Sequence, residues 1–380
     1  MNKLFIVSGS IACALLAASV YGQNATDNPP ATPAPSIGLK DAYAGKFLIG
    51  CAGDVPGGYS PTELANIKAN YNIITPENCM KPQSVHPTED NFSWNRADAL
   101  VQWCQENNIK VWGHTLAWHA QSGRWFYAAS TNEQVSTREA SMARLKSHIE
   151  AEVGRYKGKV YGWDVVNEAI DDRPVSGDPE QIRRDAWDVA IGPDFINFAF
   201  KWAHEADPDA LLFYNDYNIE QGAVNNTGKH AASMVLLKRL IKEGAPINGV
   251  GIQGHWHLDT NLKDVEKAIE DYESLGLKIG ISELDVTATG GNSGAFGNFR
   301  GNQPITAEAL QKQAQVYAQL FDILNRHAKS ISRVTFWGIS DNRSWRRGQA
   351  ALIFDGQLQP KPAYQAILDV AAGKPLPTQP

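Results

Sequence analysis

Residues 159–168 read KVYGWDVVNE and residues 277–286 read LKIGISELDV. Each is a short apolar run without strict inside/outside alternation, and each carries a glutamate where its apolar stretch gives out. Runs that are apolar on both faces suit parallel strands covered by helices. A carboxylate where such a strand ends suits the mouth of a parallel barrel, where the catalytic groups of that fold collect.

Six further runs of the same kind flank these two: KFLIGCA from Lys46, NIIT from Asn72, IKVWGHT from Ile109, ALLFYND from Ala210, GVGIQGH from Gly249 and SRVTFWG from Ser332. Stretches of helical period separate them. Ser60, Pro61 and Glu63 read as the N-cap, first position and capping-box partner of the first helix. Others are expected over residues 97–108, 137–156, 195–206, 224–243, 262–276, 307–328 and 362–372. Alternating strands and helices without a composition break predict one α/β domain, a (β/α)8 TIM barrel, over residues 37–372. The open doubly wound sheet is the alternative, but no GxGxxG follows the first strand and no P-loop occurs.

Composition narrows the function. The 380 residues are 43% hydrophobic, with 35 basic against 41 acidic side chains and a formal net charge of −6. That hydrophobicity excludes a disordered chain, and the sign of the charge speaks against nucleic acid as a partner. Lys3 followed by the apolar run Leu4 to Val20 reads as a secretory signal peptide over residues 1–22, cut before Gln23. The run is at the short limit for spanning a membrane, so a secreted protein, extracellular or periplasmic and free of the membrane after cleavage, is expected. Residues 23–36 have the composition of a Pro-rich linker, and residues 373–380 form a short tail. Cys51, Cys79 and Cys104 remain after cleavage. An odd number in a large domain predicts buried thiols, with a Cys51–Cys79 bridge as the alternative.

Polar and aromatic residues gather at the strand ends: Glu77, Asn78 and Lys81; His114 and Trp118; Asn167 and Glu168; Asn215, Asp216 and Tyr217; Gln253, His255 and His257; Glu283 and Asp285; Trp337 and Trp345. Glu168 and Glu283 leave the fourth and seventh strands, so they face each other over the barrel mouth. Two opposed carboxylates match glycoside hydrolysis, in which one donates a proton to the leaving oxygen and the other meets the anomeric carbon. Trp118, Trp337 and Trp345 are then stacking surfaces for sugars, whereas Trp103, Trp112, Trp163 and Trp202 read as packing. The rival chemistry is a metal held by His255-x-His257 with His114 and His119, for which no clear third ligand set emerges. A serine hydrolase lacks its G-x-S-x-G elbow.

The segments TPENCMK (75–81), WGHTLAWH (112–119), WDVVNEA (163–169), YNDYN (214–218), GIQGH (251–255), ISELDV (281–286) and FWGISDNRSW (336–345) together resemble glycoside hydrolase family 10, the endo-β-1,4-xylanases. The resemblance implies a retaining enzyme acting on xylan and xylo-oligosaccharides, without metal or organic cofactor, and expected as a monomer. It implies Glu168 as general acid/base and Glu283 as nucleophile. Asn167 would hold the sugar 2-hydroxyl, and His255 would bond the nucleophile while oriented by Asp285. Glu77, Asn78, Lys81, His114, Trp118, Gln253, Trp337 and Trp345 correspond to glycone contacts, and Tyr217 to an aglycone platform. Three features depart from the family pattern. Cys79 stands where an acidic residue is common, Pro82 where an aromatic is frequent, and the usual cysteine pair before the last strand is absent. The first two are expected to alter glycone affinity, and the glycine-rich stretch 289–303 is expected to reach the cleft.

Overall fold

The computed structural model describes residues 37–129, 135–289 and 304–377. The expected signal peptide (1–22), the whole of the expected linker (23–36) and residues 290–303 of the glycine-rich stretch lie outside them. The strands are β1 (Leu48–Ala52), β2 (Ile73–Thr75), β3 (Lys110–Trp118), β4 (Gly162–Asn167), β5 (Leu211–Asp216), β6 (Gly249–Ile252), a short β7 (His255–His257), β8 (Lys278–Thr287) and β9 (Ile331–Phe336). β1 to β6 pair in sequence order, β6 pairs with β8, β8 with β9, and β9 returns to β1, all parallel. The sheet therefore closes on itself as an eight-stranded barrel with helices between strands.

Local chemistry explains the closure between β3 and β4. Trp112 lies opposite Gly162 and Gly113 opposite Trp163. A Cβ on Gly113 would meet the Trp163 ring at 2.1 Å, and one on Gly162 would meet Trp112 at 2.5 Å. Each tryptophan thus lies flat across the neighbouring strand because the residue opposite has no side chain. Alternation sends Trp112 to the barrel interior with Ile73 and Phe213, and Trp163 to the helix-covered exterior core. Burying two such rings contributes on the order of 5 kcal/mol.

After a single turn at Leu39–Ala42, the helix Pro61–Asn70 carries the expected capping box, Ser60 and Glu63 each bonding the other's backbone N–H. The expectation for residues 137–156 also holds, with Thr137 capping Arg138–Arg155. Two boundaries differ. Residues 223–225 form a 3₁₀ turn, so the next helix begins only at Gly228. Residues 249–255 do not form one strand: Gly254 takes φ +80°, the chain steps sideways, and His255–His257 pairs instead with the end of β8. The step falls just after Gln253, whose N–H still donates to the Asp216 carbonyl at 3.0 Å and whose carbonyl accepts the Glu283 N–H at 2.8 Å. Cys51, Cys79 and Cys104 are buried free thiols, and burial pushes the Cys104 thiol up to about 12.

Candidate active site

The C-terminal ends of the strands enclose a cavity of about 280 Å3 lined by Glu77, Lys81, His114, Trp118, His119, Ala120, Asn167, Glu168, Tyr217, Gln253, His255, Glu283, Trp337 and Trp345. Its walls come from the ends of β2 through β9, so the cavity exists only once the sheet has closed.

Glu168 stands one residue beyond β4, with its backbone at φ +59°, in the left-handed region that L-residues rarely enter. Its N–H still donates to the Asn215 carbonyl at 2.9 Å. The side chain receives Trp118 Nε1 at 2.8 Å on one oxygen and Gln253 Nε2 at 2.9 Å on the other. Burial raises the pKa of this carboxyl, and the neighbouring Asp216 charge raises it further, against the two donors. Glu168 is therefore biased toward carrying a proton.

Glu283 lies within β8 and accepts Asn215 Nδ2 at 2.8 Å. His255 Nε2 faces its other oxygen at 3.3 Å, while His255 Nδ1 sits 2.9 Å from Asp285 Oδ2. Burial pushes the His255 pKa down, but Asp285 and Glu283 outweigh it and lift it to about 9. At neutral pH an imidazolium is held between the carboxyl groups of Glu283 and Asp285. Trp345 Nε1 donates to Asp285 at 2.9 Å and its ring lies edge-on to His255, so this tryptophan also orients the triad.

The remaining expected residues sort by position. Lys81 Nζ donates to Gln121 Oε1 at 2.9 Å, and lies 4.8 Å over the Trp118 ring. Burial lowers its pKa, opposed by the carboxylates of Glu283, Glu77 and Glu168. Burial raises Glu77, with Asp54 adding to it. Trp337 packs edge-on against His114. The Asn167 amide meets the Asn215 amide at 2.8 Å. Asn78 does not line the cavity; its backbone N–H donates to Asp54 and its side chain faces Lys81. Tyr217 lines the cavity but is only 4% exposed, its ring covered by Lys229 Nζ at 3.6 Å. Little of that ring is open to a sugar face.

The histidines raised as metal ligands do not converge. His114 bonds Asp164, His119 lies 3.8 Å from Glu168, His255 bridges Glu283 and Asp285, and His257 Nδ1 accepts the Asp259 N–H. Sequence reading missed the roles of Asn215, Gln121, Asp164, Arg183 and Arg333. Arg333 and Asp164 carried a signal, being charged residues inside apolar runs; Arg183 and Gln121 lie in loops that carry none.

A family model described as Glycosyl hydrolase family 10 matches residues 38–370. The chain belongs to glycosyl hydrolase family 10. The endo-1,4-beta-xylanase A of Caldicellulosiruptor sp. (strain Rt8B.4) is 39% identical over 89% of this chain, which spans 48% of that protein's length. The chain thus spans about half the length of that relative. The endo-1,4-beta-xylanase B of Paenibacillus barcinonensis is 38% identical, over 87% of this chain and 97% of its own. The crystal structure of an intracellular xylanase from Thermoanaerobacterium saccharolyticum, complexed with xylotetraose, superposes with a TM-score of 0.78 at 37% identity, covering 87% of this chain and 98% of its own.

Two departures of this family 10 chain now have a location. Cys79 is 2% exposed and belongs to the hydrophobic core, so its side chain does not reach the cleft. Pro82 is buried at the first position of the short helix Pro82–Val85, where the missing N–H costs nothing.

Proposed function

We propose that the protein is a retaining endo-1,4-β-xylanase that cleaves internal β-1,4-xylosidic bonds of xylan by double displacement. The observation that carries this reading is the contrast between two carboxyls in one cavity. Glu168 is buried, raised and held by neutral donors, whereas Glu283 faces a cationic imidazole. Membership of family 10 and the xylanase names of its relatives support it.

In the first step Glu168 gives its proton to the glycosidic oxygen as Glu283 bonds to the anomeric carbon, and the aglycone leaves. Esterified Glu283 has lost its charge, so Glu168, now a carboxylate, takes a proton from water. The water attacks the same carbon and the Glu283 ester breaks. Asn167, set beside both carboxyls, is placed to bond the sugar 2-hydroxyl. Trp337 and Trp345 wall the glycone side; xylose lacks the hydroxymethyl group that would collide there.

Secretion is part of the proposal, on the basic and apolar pattern of residues 1–22. The test is turnover of xylan against carboxymethylcellulose. Rapid xylan cleavage to short oligosaccharides with little or no cellulose cleavage is expected; equal or inverted rates would remove the substrate assignment.

A further inference from the structure

Both main-chain polar groups of Glu168 are held from outside its own strand. The N–H bonds β5, through the Asn215 carbonyl. The C=O, one residue beyond the last β4–β5 pair, accepts Arg183 Nε at 3.0 Å. Arg183 Nη2 reaches the Ile170 carbonyl at 3.0 Å and Tyr217 Oη at 3.1 Å. One planar guanidinium thus spans three oxygens around the acid/base residue, a geometry no ammonium can reproduce.

Arg183 is itself anchored. Its N–H donates to the Ala169 carbonyl at 2.7 Å, and the Asp171 N–H to the Gln181 carbonyl at 2.7 Å, so residues 169–183 fold back as a narrow ribbon. Tyr217, at the far end of the fork, donates to Asp172 Oδ2 at 2.8 Å. Glu168 is 6% exposed, so a carbonyl released by Arg183 would find little water to replace it. The left-handed turn would then relax, and with it the line from the Glu168 backbone to the two donors on its carboxyl.

We infer that Arg183 is a positioning residue for the acid/base step: it clamps the Glu168 main chain in the turn that aims its carboxyl into the cleft. This rests on the role of Glu168 proposed above. It predicts a defect in proton transfer, with substrate binding spared.

The experiment compares Arg183→Met and Arg183→Lys with Glu168→Ala, on xylan and on 2,4-dinitrophenyl xylobioside, whose leaving group needs no proton. Rates are normalised to active sites titrated with an activated 2-fluoro xylobioside, so that misfolded protein is not counted. R183M is expected to lower kcat on xylan about 100-fold. KM should stay within roughly 3-fold, and formation of the glycosyl-enzyme from the aryl substrate should be nearly unchanged. R183K should fall between wild type and R183M. Azide, which attacks the anomeric carbon without a general base, should speed aryl-substrate turnover by R183M and yield the β-glycosyl azide. Equal loss on both substrates, no loss, or no azide effect would overturn the inference. If E168A itself shows no leaving-group selectivity, the role of Glu168 falls instead.

Discussion

Arg333 and Asp164 form an ion pair at 3.1 Å inside the barrel, from β9 and β4, both essentially without exposure. Asp164 also accepts Trp112 Nε1 at 2.9 Å and faces His114 Nδ1 at 3.0 Å, and the guanidinium lies 3.5 Å over the Trp112 ring. Burial opposes the charge on each partner. For Asp164, Arg333 and His114 outweigh burial and hold the carboxyl below its usual range. The pair links opposite walls of the sheet under a cleft-lining residue, His114.

Breaking such a pair from one side strands a buried charge. Arg333→Met, close in volume, is expected to cost about 3 kcal/mol, the low end of the range because Trp112 and His114 remain. Urea unfolding followed by tryptophan fluorescence measures it. A loss below about 1 kcal/mol would mean that the pair is energetically idle.

Asp216 is the nearby charge that contributes most to raising Glu168. It is buried and held by Tyr214, Lys229 and the Ile170 N–H. Replacing it by asparagine removes that repulsion, so Glu168 gives up its proton at lower pH. The alkaline limb of the kcat/KM profile of Asp216→Asn should move toward acid relative to wild type. An unmoved or alkaline-shifted limb would contradict the electrostatic account of Glu168.

His255 has a folded-state pKa of about 9 against an ordinary 6.5. A raised value stabilises the fold fully below about 6.5, and the contribution is lost as pH rises through about 9. The difference in melting temperature between wild type and His255→Asn should therefore be largest near about pH 6 and shrink toward about pH 10. A difference that stays constant over that range would show that His255 does not hold its proton between Glu283 and Asp285.

Much of this was legible in the sequence because a closed parallel barrel imposes a simple rule: apolar strands with chemistry at their C-terminal ends. Glu168, Glu283, His255 and Trp118 follow that rule and meet in one cavity. The misses have physical causes. The break at Gly254 depends on a positive φ that alternation of residue types does not encode. The resemblance implies a platform at Tyr217, and strand position says nothing of Lys229, which arrives from a later helix to lie over its ring. Arg183 comes from a loop without periodicity, and its role exists only where that loop folds back on the Glu168 carbonyl. Long-range hydrogen bonds of this kind are products of closure, and no local pattern announces them.

The central claim is that Glu283 becomes covalently bound to the sugar while Glu168 exchanges protons. Incubation with a 2-fluoro xylobioside bearing an activated leaving group, followed by digestion and mass spectrometry, tests it most directly. The account predicts one added glycosyl mass, carried by the peptide containing Glu283 and absent from Glu283→Ala. A label on any other residue, or no label while the activated substrate is still turned over with inversion at the anomeric carbon, would contradict it.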